Sequence, residues 1–335
     1  MKKLIQKLTE TISPSGYESI IRAVIRAEVE PYADEIQVDA LGNLIVLKKA
    51  TQPSKNPRKI MIAAHMDEIG IIATHIDAQG FVRFTSVGGV FPRNLPAGRV
   101  RFLNGTHGVI GYEPVEKALD AQSIDKCFID VGASSDKNHP VKIGDMAGFD
   151  RNFMDLGDRL VAKSMDDRIG CAVAIEALKA IKSTPHELYF VFTTQEEVGT
   201  RGAETSAYQI DPDLGFSIDV TLWGDTPSQK GLAVDLGKGP AIKIKDAGML
   251  SDPRIVHWMV SSAEKTHIPY QREVLLGGST DARAMQLVRG GVPVGCISIP
   301  CRYVHSPSEM VDLRDVKNAV KLIEVMLSNP VDLKE

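Results

Sequence analysis

At 335 residues the chain is long for one hydrophobic core and sufficient for two domains. Its 43% hydrophobic and 24% charged residues suit a soluble globular protein, and its longest apolar runs are strand-sized, too short to span a membrane. A net charge of -4 without any Lys/Arg cluster argues against nucleic-acid binding.

Residues 2–11 and 17–30 carry helical periodicity, separated by Ser13-Pro14-Ser15-Gly16. The opening "MKKLIQKLTETISPSG" lacks a continuous apolar segment and a small-residue cleavage site, so it reads as an amphipathic helix rather than a signal peptide. "DEIQVDALGNLIVLKK" predicts two strands turning at Gly42-Asn43. "KIMIAAH" predicts a buried strand ending at His65. From about residue 70 the texture becomes all-β, with "FVRFTSVGG", "RVRFLN", "THGVIGYE" and "CFIDVG" as short alternating strands and one possible short helix at 116–122. After about residue 160 the α/β texture returns. "DDRIGCAVAIEALKAIKS" is helical, "ELYFVFTT" and "LGFSIDVT" are strands, 252–267 and 281–289 are helical, and 270–276 is extended. "VPVGCISIP" is a buried strand, and 312–329 form a closing helix. The expected fold is therefore α/β, a central sheet flanked by helices on both faces and interrupted by a small inserted β-barrel. The α/β domain is expected to be discontinuous, over 1–69 and 161–335, with the β-rich insert at 70–160.

The four cysteines, Cys127, Cys171, Cys296 and Cys301, form no CxxC pair. Cys171 lies in a helical pattern and Cys296 in an apolar strand, as small core residues do. A reducing cytoplasm is the expected location.

Five separate strand ends carry only histidine and carboxylates: His65 and Asp67 in "AAHMDEIG", Asp166 and Asp167 in "AKSMDDRIG", Glu196 and Glu197 in "TTQEEVG", Asp219 in "SIDVT", and His305 in "RYVHSPSE". The carboxyl ends of strands in an open α/β sheet converge on one crevice. A single strand-end Asp is usually a helix cap, and a lone His a satisfied surface or core residue. Five together form a ligand set for divalent zinc, cobalt or manganese. Cations would also offset the repulsion between the adjacent Glu196 and Glu197.

These motifs, together with "GTRGA", "GDTPS", "GGSTDARA" and "VHSPSE", occur in an order and spacing that resembles the M42 family of metallo-aminopeptidases, of the tetrahedral dodecameric and glutamyl/deblocking type. The resemblance runs along nearly the whole chain. It implies a metal-dependent aminopeptidase with a dinuclear exopeptidase-type sheet, two metal ions per subunit and a bridging water. In that reading His65 and Asp219 hold one metal, Glu197 and His305 the other, and Asp166 bridges them. Glu196 is the general base. Asp67 accepts a hydrogen bond from the His65 ring and fixes its tautomer. The resemblance further implies a cis peptide between Asp166 and Asp167. It also implies peptide substrates, dimers formed through the insert, and six dimers assembling into a hollow dodecamer. "GGVFPRNLPAG" is the candidate contact segment.

His75, His107, His139, His186, His257 and His267 fit surface or capping roles. Asp281 is either a helix cap or a cleft residue, and Glu309 in "SPSE" has the same ambiguity as a capping box. "VGGV" at 87–90 lacks the Lys-Ser/Thr and the following helix of a phosphate loop. Thr200 stands where some relatives have Leu. Two competing functions have less support. Glycoside hydrolysis by a carboxylate pair leaves the histidines unused, and at 6% the chain is poor in aromatics for a sugar cleft. A non-catalytic assembly protein has no need of Glu196.

Overall fold

The computed structural model describes residues 1–114, 123–228 and 232–333. The possible helix at 116–122 lies outside the described residues. Helices α1 (Lys2–Glu10) and α2 (Ser19–Val29) come first. Each buries one apolar stripe, Leu4, Ile5 and Leu8 in α1 and Ile21, Ile25 and Val29 in α2. Then come β1 (Glu35–Val38), β2 (Leu44–Lys48) and β3 (Lys59–His65). The barrel strands follow: β4 (Gly70–Ile76), β5 (Phe81–Val87), β6 (Arg99–Phe102), β7 (His107–Tyr112), β8 (Cys127–Asp130) and β9 (Met146–Phe149). The chain re-enters the main sheet through β10 (Met154–Leu156) and β11 (Arg159–Ala162). It then alternates: α3 (Met165–Ala180), β12 (Glu187–Thr193), α4 (Arg201–Ile210), β13 (Leu214–Thr221), β14 (Ala241–Lys245) and α5 (Pro253–Lys265). It ends with β15 (Gln271–Val274), α6 (Asp281–Gln286), β16 (Val294–Arg302), β17 (Glu309–Asp312) and α7 (Leu313–Ser328).

Among the described residues, eleven strands form one mixed sheet along the path β1-β2-β12-β3-β13-β16-β17-β11-β10, with β14 against β16 and β15 against β14. Its middle pairs, β12 with β3, β3 with β13 and β13 with β16, are parallel. The two faces of β3 explain its unbroken apolar run. Ile60, Ile62 and Ala64 join the core shared with α3, α5 and α7, whereas Met61 and Ala63 join the core shared with α4 and α6. Helix α3 is buried along nearly its whole length, which is why its sequence is apolar on every side.

The six barrel strands close in the order β4-β5-β8-β7-β6-β9 around a separate core that includes Ile71, Phe84, Phe102, Ile110 and Phe149. Their alternation is the half-buried strand pattern of a small barrel. β10 falls inside the 70–160 span expected for the insert, yet it pairs with β11 in the large sheet. Short alternating strands look alike whichever sheet they join, so texture does not separate them.

A buried charged cluster lies behind the strand ends. Lys163 Nζ donates to Glu68 Oε2 at 2.5 Å, the Ser164 hydroxyl donates to the same oxygen, and the Ser13 amide donates to Glu68 Oε1 at 2.6 Å. Arg168 donates to the carbonyls of Leu8, Thr11 and Ser13 at 2.6, 2.9 and 3.3 Å. Burial opposes the Glu68 charge, but Lys163 and Arg168 outweigh it and hold the carboxyl below its usual range. Paired buried charges of this kind fix a unique geometry where an unpaired one would be strongly destabilising. Here they tie the N-terminal segment to the ends of β3 and β11 and to the start of α3. Among the described residues, no helix is long and apolar enough to cross a membrane.

Candidate metal centre

Parallel pairing sets His65 beside Thr193 at the carboxyl ends of β3 and β12. Glu196 and Glu197 follow two turn residues later, Asp219 is near the end of β13, Asp166 opens α3, and His305 lies just beyond β16. The sheet thus gathers the five strand-end motifs at one crevice. Asp166 occupies the middle. Its Oδ1 is 2.9 Å from His65 Nε2 and its Oδ2 is 3.2 Å from His305 Nε2. His305 Nε2 is also 3.3 Å from Glu197 Oε2. Ligand atoms of His65, Asp166 and Glu197 lie within 4.8 Å of one another, and so do those of His65, Asp167 and Asp219. The sequence pattern alone gives Asp167 no place in that second group. Its Oδ1 accepts the Gly170 amide at 3.0 Å. A Cβ at Gly170 would stand 2.3 Å from both Asp167 oxygens, so only glycine fits there. The Asp166-Asp167 peptide is cis.

The turn carrying the two glutamates is held amide by amide. The Thr194 N–H donates to Asn43 Oδ1 at 2.9 Å and the Gln195 N–H to Glu18 Oε1 at 3.2 Å. The Glu196 and Glu197 amides donate to Asp67 Oδ1 and Oδ2 at 3.1 and 3.3 Å. Ser15 donates its hydroxyl to Asp67 at 2.5 Å. Asp67 is therefore first an anchor for the glutamate turn. Its Oδ1 is 3.5 Å from His65 Nδ1, longer than an ordinary hydrogen bond. Gln195, Thr200, Ser164, Tyr303 and His305 all take positive φ, a local strain that clusters where surrounding contacts enforce it.

Glu309 is a residue that local pattern leaves open between a helix cap and a cleft residue. It begins β17 rather than capping a helix, and its buried carboxylate accepts the Asp166 amide at 2.9 Å and the His305 amide at 2.7 Å. Burial, and then the Asp166 charge, push its carboxyl up to about 8. Asp281 does not cap α6 either, since Thr280 does. Asp281 is buried and accepts the Thr193 hydroxyl at 2.5 Å, and burial pushes its carboxyl up to about 6. His107 contacts Asp150, His139 accepts the Val141 amide at Nδ1 and donates from Nε2 to the Gly80 carbonyl, and His186 bonds the Asn329 carbonyl, as bland local roles require.

The electrostatics call for cations. Burial and then the neighbouring Asp166 charge push Asp219 well above the carboxylate range, and burial does the same to Asp167 and Glu196. Burial opposes the charge on His305, but Glu197 and Asp166 outweigh it and push the imidazole up to about 12. His65 is raised likewise, with Asp166 and Asp67 overcoming burial. The surrounding carboxylates thus favour the charged form of both imidazoles. His65 Nδ1, Asp167 Oδ2 and Glu197 Oε1 are buried with no hydrogen-bond partner among the described residues. A His/carboxylate donor set with orphaned buried atoms and excess negative charge fits divalent metal. The cleft in front of it, about 480 Å³, is lined partly by Phe91, Val220, Leu222 and Leu275, a size and character suited to a peptide end.

Comparison with known proteins agrees with this chemistry. The family model described as M42 glutamyl aminopeptidase matches residues 42–322. A putative aminopeptidase of Acetivibrio thermocellus is 45% identical over 325 residues, covering 96% of this chain and 97% of that protein. The structure of an aminopeptidase from the archaeon Desulfurococcus kamchatkensis superposes with a TM-score of 0.94 at 42% identity, covering 98% of this chain and 94% of that one. The Pyrococcus horikoshii TET1 peptidase, which can assemble into a tetrahedron or a large octahedral shell, superposes with a TM-score of 0.87 at 34% identity, covering 98% and 99%.

Proposed function

The chain belongs to the M42 peptidase family and is an aminopeptidase, and we propose that it removes N-terminal residues from peptides with two divalent ions and Glu196 as general base. One observation carries the reading: the two oxygens of Asp166 each face a different imidazole, at 2.9 and 3.2 Å, as a carboxylate shared by two ions requires. His65 and Asp219 would hold one ion with Asp166, and Glu197 and His305 would hold the other. When bound, the ions supply Lewis acidity, polarising the scissile carbonyl and making water a better nucleophile. Glu196 is not needed as a ligand, and its side chain is 14% exposed toward the cleft. It accepts the proton of the attacking water and delivers it to the leaving amine. Asp67 fixes the direction of both glutamates by receiving their amides. The free, buried cysteines suit a reducing cytoplasm.

The test is hydrolysis of aminoacyl-p-nitroanilides by chelator-stripped protein. Activity is expected to vanish on stripping and return with cobalt or zinc, with two ions bound per chain. Cleavage unaffected by complete removal of metal would overturn the reading.

The same reading assigns residues 70–160 to a dimerisation domain within a larger shell. The exposure of Phe91 (43%) and Val109 (49%) on that segment supports it. Light scattering on metal-loaded protein is expected to give a closed multimer of dimers. A stable monomer at micromolar concentration would rule that out.

A further inference from the structure

The barrel reaches into the metal centre. The loop after β5 passes Gly88 and Gly89 directly over Glu197 and His305. A Cβ on Gly89 would stand 2.5 Å from His305 Nδ1 and 2.7 Å from its Cε1. A Cβ on Gly88 would stand 3.0 Å from Glu197 Oε2. Gly88 has φ +79°, which by itself favours glycine, but Gly89 has no positive φ, so space rather than backbone conformation demands the missing side chain there. On the opposite side, Glu309 holds the His305 amide at 2.7 Å and, through its other oxygen, the Asp166 amide at 2.9 Å. His305 itself sits at φ +59°, a conformation it keeps only while its surroundings enforce it. His305 is therefore held at two points, its ring against a bare glycine backbone from the barrel and its amide by a buried carboxylate from β17.

We propose that Gly89 and Glu309 are positioning residues for the His305–Glu197 half of the centre, so that the barrel takes part in retaining one of the two metal ions. The inference rests on the dinuclear reading above. An alanine at 89 would push the His305 ring back by about 1 Å, a misplacement of the size that degrades a preorganised site. The atoms nearest a Cβ at Gly88 or Gly89 belong to Ile69, Glu197 and His305 and not to His65 or Asp219, so the substitution acts on the His305–Glu197 half.

The experiment is titration of full-length, metal-stripped protein with cobalt(II), read by calorimetry and by the cobalt absorption spectrum. Gly89→Ala is expected to bind one ion as the wild type does and the other ~10–100-fold more weakly, as for other supporting groups around metal ligands, with that ion's spectrum altered. Glu309→Gln, which keeps the shape but has one acceptor oxygen where two are used, is expected to weaken the same ion more than the other, which it reaches only through the shared Asp166. In a His305→Ala background, Gly89→Ala should have no further effect, because the group it displaces is gone. Gly290→Ala, with nothing near its Cβ and no positive φ, is the control for glycine replacement. Gly89 is exposed, so the unfolding midpoint of the stripped Gly89→Ala protein should match that control. Two ions bound with wild-type affinity and spectrum in Gly89→Ala, or equal loss of both, overturns the proposal alone. Fewer than two ions in the wild type overturns the dinuclear reading and the proposal with it.

Discussion

Glu196→Gln is expected to lower kcat by ~10²–10⁴-fold while leaving two ions bound per chain, because it removes a proton acceptor and nothing else. Glutamine preserves the volume, and the Glu196 amide still donates to Asp67 Oδ1 at 3.1 Å, so the turn keeps its course. The carboxylate is 4.0 Å from His65 Nε2, outside the close contacts that Asp166 makes to both imidazoles. In the metal-free chain, burial holds the Glu196 carboxyl well above its usual range, His65 opposes this, and the charges of Asp219, Asp281 and Glu197 add to it. A general base acts ionised and is lost as pH falls through its pKa, so any part of the acid limb of the kcat profile that Glu196 carries should disappear in the variant. Kinetics with aminoacyl-p-nitroanilides beside a metal assay decide it. Near-wild-type turnover would remove Glu196 from the role of base, and a loss of bound metal would make it a ligand instead.

The adjacent Glu197 shows why neighbours in sequence can have different work. Successive residues on an extended turn project in different directions. Glu197 faces His305 at 3.3 Å, whereas Glu196 faces His65 and the cleft. Both depend on one carboxylate, Asp67, for their backbone direction. Asp67→Asn would therefore disturb both together, a different signature from either glutamate alone.

The parts of the fold legible in the sequence are those with a long local period. "KIMIAAH" and the helix after Asp166-Asp167 announce themselves by continuous burial, and the barrel by short alternation broken by glycines. The strand-end histidines and carboxylates are legible because sheet topology must bring such ends together. β14, only Ala241–Lys245 after a Gly-Pro turn, is not legible, because five residues of alternating lysine and isoleucine carry too little periodicity. Glu309 stays undecided between helix cap and cleft residue for another reason. "SPSE" has the local form of a helix start, and only tertiary structure reveals that its carboxylate receives amides from positions 166 and 305. The same holds for Asn43 and Glu18, whose partners lie 151 and 177 residues away. Hydrogen bonds to backbone leave no trace in a spacing pattern.

Asp166→Asn is expected to cost both ions at once, with cobalt affinity falling at least ~10²-fold at each site and activity at ordinary metal concentrations following it. The argument is one of position. Each Asp166 oxygen faces one imidazole, and burial of the carboxyl is outweighed by its hydrogen bonds from His305 and His65, which keep it ionised. Asparagine can offer one oxygen, uncharged, and must turn an amide nitrogen toward one of the two ions. Single-site variants should behave otherwise: Asp219→Asn weakens the His65-side ion and His305→Ala the other, each leaving its partner bound. Proton release provides a second readout. The surrounding carboxylates raise both His65 and His305 from the usual imidazole value, so metal ions compete with protons for these ligands and metal uptake should weaken as pH falls. Calorimetry in buffers of different ionisation enthalpy should show net proton release on metal uptake in the wild type. Removing Asp166 withdraws one of the charges that favour both imidazolium forms, so the release should be smaller in the variant. If Asp166→Asn keeps one ion at wild-type affinity, the carboxylate serves a single site and the shared-ligand architecture is wrong.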